Sequence, residues 1–329
     1  MKKQALAAGF VLLSCMLPVK ANAANISHIY AFGDSLVDNG NAFQLTKPAT
    51  GGIPPFPYFQ GRFSNGPVWV EYLTDSLGIQ ATNYAVGGAT TGSKNTLILN
   101  NPLGLPGLTQ QIQGFLGANQ AADQDALYII GAGANDYLAA GVQDFTQPVS
   151  NLAAVVTSLA SVGAKNFLVA NLPDLGNLPG TRNSPFAGGL TALSGFHNSA
   201  LSQTLNALSQ QQPSLSIKLL DVYSLVERSL KDPSEFGFTN TTDACLNSIG
   251  VICSHPDDYL LWDGIHPTTR THSIVAGAAL VAVPEPSIAL GLLAFGALGV
   301  TGLRKRKHNI LKLTNPVLVA QSSHTKAEN

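Results

Sequence analysis

The chain has 329 residues, a formal net charge of −1, and only 11% Asp, Glu, Lys and Arg, against a usual quarter or so. No basic stripe is present, which argues against nucleic acid as a partner. The surface must instead be carried by Asn, Gln, Ser and Thr, as suits an exported protein.

In chain order, Lys2 and Lys3 precede an apolar run that ends in Ala21-Asn22-Ala23. A positive start, an apolar centre and a small-residue cleavage site describe a secretory signal peptide over 1–23. Leu12-Leu13-Ser14-Cys15 offers an alternative lipoprotein processing site, although Cys15 lies inside the apolar run rather than at its end. Residues 24–283 are expected to form one α/β domain with a substantial core. Strand-like runs fall at 29–32, 79–85, 126–130, 167–170 and 217–221. Apolar residues at three- and four-residue spacing predict helices over 151–161 and 190–208. Strands alternating with helices imply a mostly parallel sheet covered on both faces.

Two stretches interrupt this rhythm. Residues 47–67 are rich in Pro and Gly and carry Phe56, Tyr58, Phe59 and Phe63. Residues 235–256 hold Cys245 and Cys253, the cysteines that remain once the leader is removed. Long loops in a compact domain are often functional; a surface excursion with its own aromatic cluster is the alternative. An oxidising compartment favours a bridge between Cys245 and Cys253. Metal binding with His255 is the other option, but no second Cys/His cluster completes a four-ligand site.

After residue 283 the character changes. Pro284-Glu285-Pro286 is followed by an uncharged stretch, 287–303, and then by Arg304-Lys305-Arg306-Lys307. As a helix that stretch would span about 26 Å, slightly short of a bilayer core of about 30 Å, with the cations holding its C-terminal side in the cytoplasm. This order closely resembles the PEP-CTERM sorting signal of exported Gram-negative bacterial proteins. The resemblance implies recognition and processing of 284–307 by machinery of the inner membrane. Such signals usually stop soon after the basic run, whereas this chain continues through a polar tail, 308–329.

The residues that carry chemistry follow the expected strands. Gly33-Asp34-Ser35-Leu36 comes after the first, Val86-Gly87-Gly88-Ala89-Thr90 after the second, and Gly133-Ala134-Asn135-Asp136 after the third. Asp263-Gly264-Ile265-His266-Pro267 lies beyond the fifth. In an open parallel sheet these loops share the carboxyl edge, where ligands bind. A serine hydroxyl needs a base to take its proton, and His266 is the candidate, imidazole as a residue type being suited to that task. Asp263 is spaced to fix the other ring nitrogen, and Thr268 is an expected N-cap for the following helix. The N–H groups of Ser35 and Gly88 and the amide of Asn135 are candidate donors to an oxyanion, glycine allowing close backbone approach. No serine sits in G-x-S-x-G, and neither H-E-x-x-H nor a P-loop lysine pattern occurs.

All of these blocks together resemble a GDSL-family esterase/lipase of the SGNH hydrolase superfamily. Phe32-Gly33-Asp34-Ser35-Leu36-Val37-Asp38-Asn39-Gly40-Asn41 is the first block, with Ser35 as nucleophile. Asn83-Tyr84-Ala85-Val86-Gly87-Gly88-Ala89-Thr90 supplies Gly88, and Gly133-Ala134-Asn135-Asp136 supplies Asn135, as oxyanion donors. Trp262-Asp263-Gly264-Ile265-His266-Pro267-Thr268 supplies Asp263 and His266. Gly61-Arg62-Phe63-Ser64-Asn65-Gly66 is similar to the branch holding plant GDSL lipases and bacterial phospholipase-like and hemolysin-like members. The resemblance implies a three-layer α/β/α sandwich with a five-stranded parallel sheet, flavodoxin-like in outline. It also implies hydrolysis of acyl esters, lipid or phospholipid esters among them, with no metal or cofactor. Transfer of the acyl group to an alcohol, and deacetylation of a carbohydrate, use the same site; a surface or matrix protein that keeps the fold only for binding is a further alternative.

Overall fold

Alternation of side chains along short apolar strands sets the architecture. The computed structural model describes residues 26–118 and 121–283; the expected leader and the segments 284–307 and 308–329 lie outside the described residues. The strands β1 (Ile29–Gly33), β2 (Ala81–Asn83), β3 (Leu127–Gly131), β4 (Asn166–Ala170) and β5 (Ser216–Leu220) form one sheet in the order β2-β1-β3-β4-β5. All four pairings are parallel. The helices are α1 (Asn41–Thr50), α2 (Trp69–Leu77), α3 (Leu108–Ala118), α4 (Ala134–Leu138), α5 (Thr146–Ser161), α6 (Ala187–Gln211), α7 (Val222–Lys231), α8 (Pro233–Phe236) and α9 (Thr269–Ala282).

Successive residues of a strand point to opposite faces, and the two cores divide accordingly. Phe32, Tyr128, Ile130, Phe167 and Val169 pack against α3, α5 and α6 through Ile112, Phe115, Leu152, Val156 and Leu201. Their strand neighbours Ile29, Ala31, Leu127, Ile129 and Leu168 face α2 and α9 through Trp69, Val70, Leu73, Val275 and Ala279. The result is a three-layer α/β/α sandwich. The strand order reverses between β1 and β3, and ligands of such sheets bind at that crevice.

Several boundaries differ from the sequence expectation. β2 keeps only Ala81–Asn83 of the expected 79–85, because Asn83 folds back: its Oδ1 accepts the Ala85 N–H at 2.8 Å and its Nδ2 donates to the Val37 carbonyl at 2.7 Å. The helices expected at 151–161 and 190–208 run longer, as α5 and α6. The expected loop 47–67 surrenders its first residues to α1, which continues through Pro48. Within 235–256, β6 (Asn240–Ala244) pairs in parallel with β7 (Tyr259–Leu261) to make a second, two-stranded sheet. Among the described residues no helix is long and apolar enough to cross a membrane.

Candidate active site

The turn after β1 is shaped by backbone demands. Gly33 has φ +152°, and a Cβ there would run into the Gly131 carbonyl. The buried side chain of Gln111 clamps the same residue, accepting the Gly33 N–H at 2.9 Å and donating to its carbonyl at 2.8 Å. The Asp34 carbonyl then accepts the N–H groups of Val37 (3.0 Å) and Asp38 (2.9 Å), closing a tight turn around Ser35.

The second half of the site comes from the small sheet. After β7 the chain reverses, with the Trp262 N–H donating to the His266 carbonyl at 2.7 Å. Thr268 then caps α9, its hydroxyl accepting the Thr271 N–H at 3.3 Å. This brings His266 Nε2 to 3.0 Å from Ser35 Oγ, across 231 positions of sequence. The opposite ring nitrogen, Nδ1, lies 2.7 Å from Asp263 Oδ2. Asp263 Oδ1 accepts the N–H groups of Ile265 (2.8 Å) and His266 (2.7 Å), which fixes the carboxylate in its turn. Ser35 and His266 are both buried, at 8% exposure each.

Electrostatics favour an ionised Asp263. Burial pushes its carboxyl up, but the neighbouring His266 charge outweighs this, together with hydrogen bonds from His266, the Ile265 N–H and Tyr58, and holds it at about 2. Asp34, one residue before Ser35, behaves in the opposite way. Burial pushes it up to about 7 against the pull of the Leu36 N–H and His266.

The three expected oxyanion donors differ in what they already bond. Among the described residues neither the Ser35 N–H nor the Gly88 N–H meets an acceptor. Gly88 has φ +80°, and a Cβ there would meet the Leu97 backbone nitrogen at 2.5 Å, so the position excludes side chains. Asn135 Nδ2 donates to the Ala89 carbonyl at 3.1 Å, using one amide hydrogen and leaving the other. Cys245 and Cys253 are bonded, with Cα atoms 4.8 Å apart. Their loop leans on the base turn through the Leu246 N–H, which donates to the Trp262 carbonyl at 2.6 Å.

Residues 29–279 match the family model of the GDSL-like lipases and acylhydrolases. The chain belongs to that family. A phosphatidylcholine-sterol acyltransferase of Aeromonas hydrophila is 34% identical over 251 residues, covering 72% of this chain and 71% of that protein. A thermolabile hemolysin of Vibrio parahaemolyticus is 28% identical over 275 residues, and the match spans 76% of this chain but only 62% of the hemolysin. Among solved structures, a member of the lipolytic G-D-S-L family from Veillonella parvula aligns with a TM-score of 0.45 and 19% identity, over 77% of this chain and 96% of that one. Residues 282–307 match the PEP-CTERM protein-sorting motif, an export-sorting signal of Gram-negative bacteria.

This GDSL hydrolase also recruits residues for which the sequence suggested no role. Tyr58 donates its hydroxyl to Asp263 Oδ2 at 2.7 Å, and the Phe63 ring lies 5.1 Å from the His266 ring. Both come from the Pro/Gly-rich loop, where aromatic enrichment was the available signal. Asp38 and Gln111 act through the backbone, which leaves no mark on spacing. Two cavities adjoin elements that carry site residues. One, ≈ 630 Å³, opens against Asp263 and His266 and is walled by Tyr58, Arg182, Asp243 and Asn247. The other, ≈ 750 Å³, lies beside α4 and is lined by Tyr137, Leu138, Val142, Phe186, Leu190 and Leu193.

Proposed function

We propose that the chain hydrolyses carboxylic esters through a covalent acyl-Ser35 intermediate. One observation carries this reading: a single imidazole stands 3.0 Å from a serine hydroxyl on one side and 2.7 Å from an aspartate on the other. In the first half, Ser35 Oγ bonds to the ester carbonyl carbon as its proton passes to His266 Nε2. The Ser35 and Gly88 N–H groups and the Asn135 amide stabilise the oxyanion that forms. Collapse breaks the bond to the alcohol oxygen, which leaves with the proton from His266. Water then repeats the sequence, His266 taking its proton and returning it to Ser35 Oγ as the acid departs. Asp263 holds the ring tautomer and stabilises the imidazolium.

Lipid or phospholipid esters are the proposed substrates. The apolar hollow beside α4 has the size and lining for an acyl chain, and a relative named for a phosphatidylcholine acyltransferase supports the same class. That relative also favours a second reading, in which an alcohol replaces water in the second half. We further propose export, with 1–23 as leader, 24–283 as the hydrolase domain, 284–307 as the segment presented to inner-membrane sorting machinery and 308–329 as a tail. The product would reach the cell surface or medium, or stay anchored.

Mass spectrometry after exposure to a fluorophosphonate tests the nucleophile. The adduct is expected on the peptide holding Ser35, and Ser35→Ala should lower kcat by several orders of magnitude in a folded protein. A folded Ser35→Ala variant keeping a tenth of the activity would overturn the mechanism. Product analysis with an added alcohol separates hydrolysis from acyl transfer.

A further inference from the structure

The Pro/Gly-rich loop between α1 and α2 touches the acid and the base at once. Tyr58 reaches Asp263 across 205 positions of sequence, its hydroxyl 2.7 Å from Oδ2, the same oxygen that faces His266 Nδ1. Asp263 is therefore ionised with every contact accounted for. Oδ1 takes two backbone N–H groups of its own turn, while Oδ2 is shared between the imidazole and the phenol. The phenol must be the donor in this bond. Burial and the adjacent carboxylate both push its own ionisation up.

The ring that delivers this hydroxyl is locked. Tyr58 sits edge-on to Trp262 at 6.3 Å and to Phe63 at 6.4 Å between centroids. Its backbone N–H donates to the Pro55 carbonyl at 3.0 Å, and the next residue, Phe59, donates to the Ser64 carbonyl at 2.9 Å. The loop is then tied to the segment following the base. Ser64 Oγ donates to the Pro267 carbonyl at 2.9 Å, and Asn65 Oδ1 accepts the Thr269 N–H at 2.8 Å. Phe63, just before these ties, lies against the His266 ring. The hydrogen bonds and ring contacts just described go to the base turn and within the loop itself.

We infer that Tyr58 is a positioning residue of the catalytic apparatus, acting through Asp263 to fix the direction and basicity of the carboxylate that orients His266. The inference rests on the Ser35–His266–Asp263 reading given above. The bond from a phenol withdraws charge from Oδ2 and restricts rotation of the carboxylate, so that Oδ2 stays aligned with Nδ1 as the imidazolium forms. Hydrogen bonds to charged groups are the stronger ones, which makes the effect measurable in kcat. Because Tyr58 lies on the acid's side of the imidazole rather than the serine's, substrate binding should change little.

The test compares the full chain with its Tyr58→Phe variant, keeping the ring and its packing. The expected result is about a tenfold fall in kcat with KM changed by less than about twofold. The acidic limb of the kcat/KM profile should move to higher pH, because a carboxylate stripped of one donor holds the imidazolium proton more tightly. Replacing Tyr58 by 3-fluorotyrosine, a stronger donor of nearly the same shape, should move that limb the other way. In a double-mutant cycle, Tyr58→Phe should cost little further activity once Asp263→Asn is present. Wild-type kcat with an unmoved limb in Tyr58→Phe, or full additivity with Asp263→Asn, would overturn the inference. If Tyr58→Phe does not fold, an unmoved limb with 3-fluorotyrosine does the same. A silent Asp263→Asn would instead sink the triad reading itself, so the two failures are separable.

Discussion

Asp38 reaches from the nucleophile turn to Gly87, accepting its N–H at 2.8 Å on the same oxygen, Oδ2, that accepts the Ala42 N–H at 3.0 Å. Oδ1 takes the N–H groups of Gly40 (2.8 Å) and Asn41 (2.6 Å). One fully buried carboxylate thus starts α1 and joins the loop bearing Ser35 to the loop bearing Gly88.

Asp38→Ala removes the acceptor from four N–H groups. An unsatisfied buried donor costs about 1–3 kcal/mol, so a loss of at least about 3 kcal/mol is expected, read from the denaturant midpoint. Asp38→Asn keeps one acceptor oxygen and should fall between. A wild-type midpoint for the alanine variant would show that the loops are held by other means.

Asn135→Ala addresses the oxyanion site. Its spare amide hydrogen is expected to act on charge that develops only in the transition state, so kcat should fall by about 10² to 10³ with a smaller effect on KM. A change confined to KM would make Asn135 a ground-state binding residue.

Asp34 predicts a pH dependence of stability. Its carboxyl is pushed up by burial to about 7 in the folded protein, against an ordinary aspartate value of 3.8. Between those values the folded state binds the extra proton, so the contribution of Asp34 to stability is present at low pH and is lost as pH rises towards 7. Asp34→Asn removes the charged form and keeps an acceptor for the Leu36 N–H. Relative to wild type, the variant should therefore gain stability progressively as pH rises from about 4 to about 7, by up to about 4 kcal/mol over the whole window. Chemical denaturation at several pH values measures this; parallel curves for the two proteins would refute it.

The C-terminal boundary of the hydrolase domain is also testable. Val283 is 4% exposed and belongs to the buried cluster that includes Ile29 and Leu73, so the folded unit should need it. A chain ending after Val283 is expected to be folded and to keep its specific activity. Ending after Ala278 removes Ala279 and Val283 from the core and should cost several kcal/mol, at about 1.5–3 kcal/mol for a buried valine alone. Loss of activity in the chain ending after Val283 would mean that residues beyond 283 belong to the hydrolase.

Much of this geometry could be anticipated from sequence, for a definite reason. Ser35, Gly88 and Asn135 each follow an apolar run short enough to be a buried strand, and a parallel sheet gathers such loops at one edge. Tyr58, Asp38 and Gln111 escaped because their partners are set by tertiary fit. Tyr58 lies on a loop whose path has no periodicity, and Asp38 and Gln111 satisfy backbone groups that any sequence would present. β6 escaped for another reason. Asn240–Ala244 is polar and half exposed, so no alternation marks it as a strand.

The separation of the site between two sheets has a further consequence. Ser35 hangs from β1 in the main sheet, whereas Asp263 and His266 hang from β7, whose partner is β6. Among the described residues no strand pairing spans the gap between them; the 3.0 Å approach of Oγ to Nε2 is kept by scattered loop hydrogen bonds, such as those of Ser64 and Asn65, and by side-chain packing of α9 on α2 through Val275, Ala276, Trp69 and Leu73. Side-chain packing loosens over small displacements, while a paired strand resists them. On heating, the two halves should therefore drift out of register while circular dichroism still reports an intact sheet, and the enzyme should fall silent some degrees before it melts.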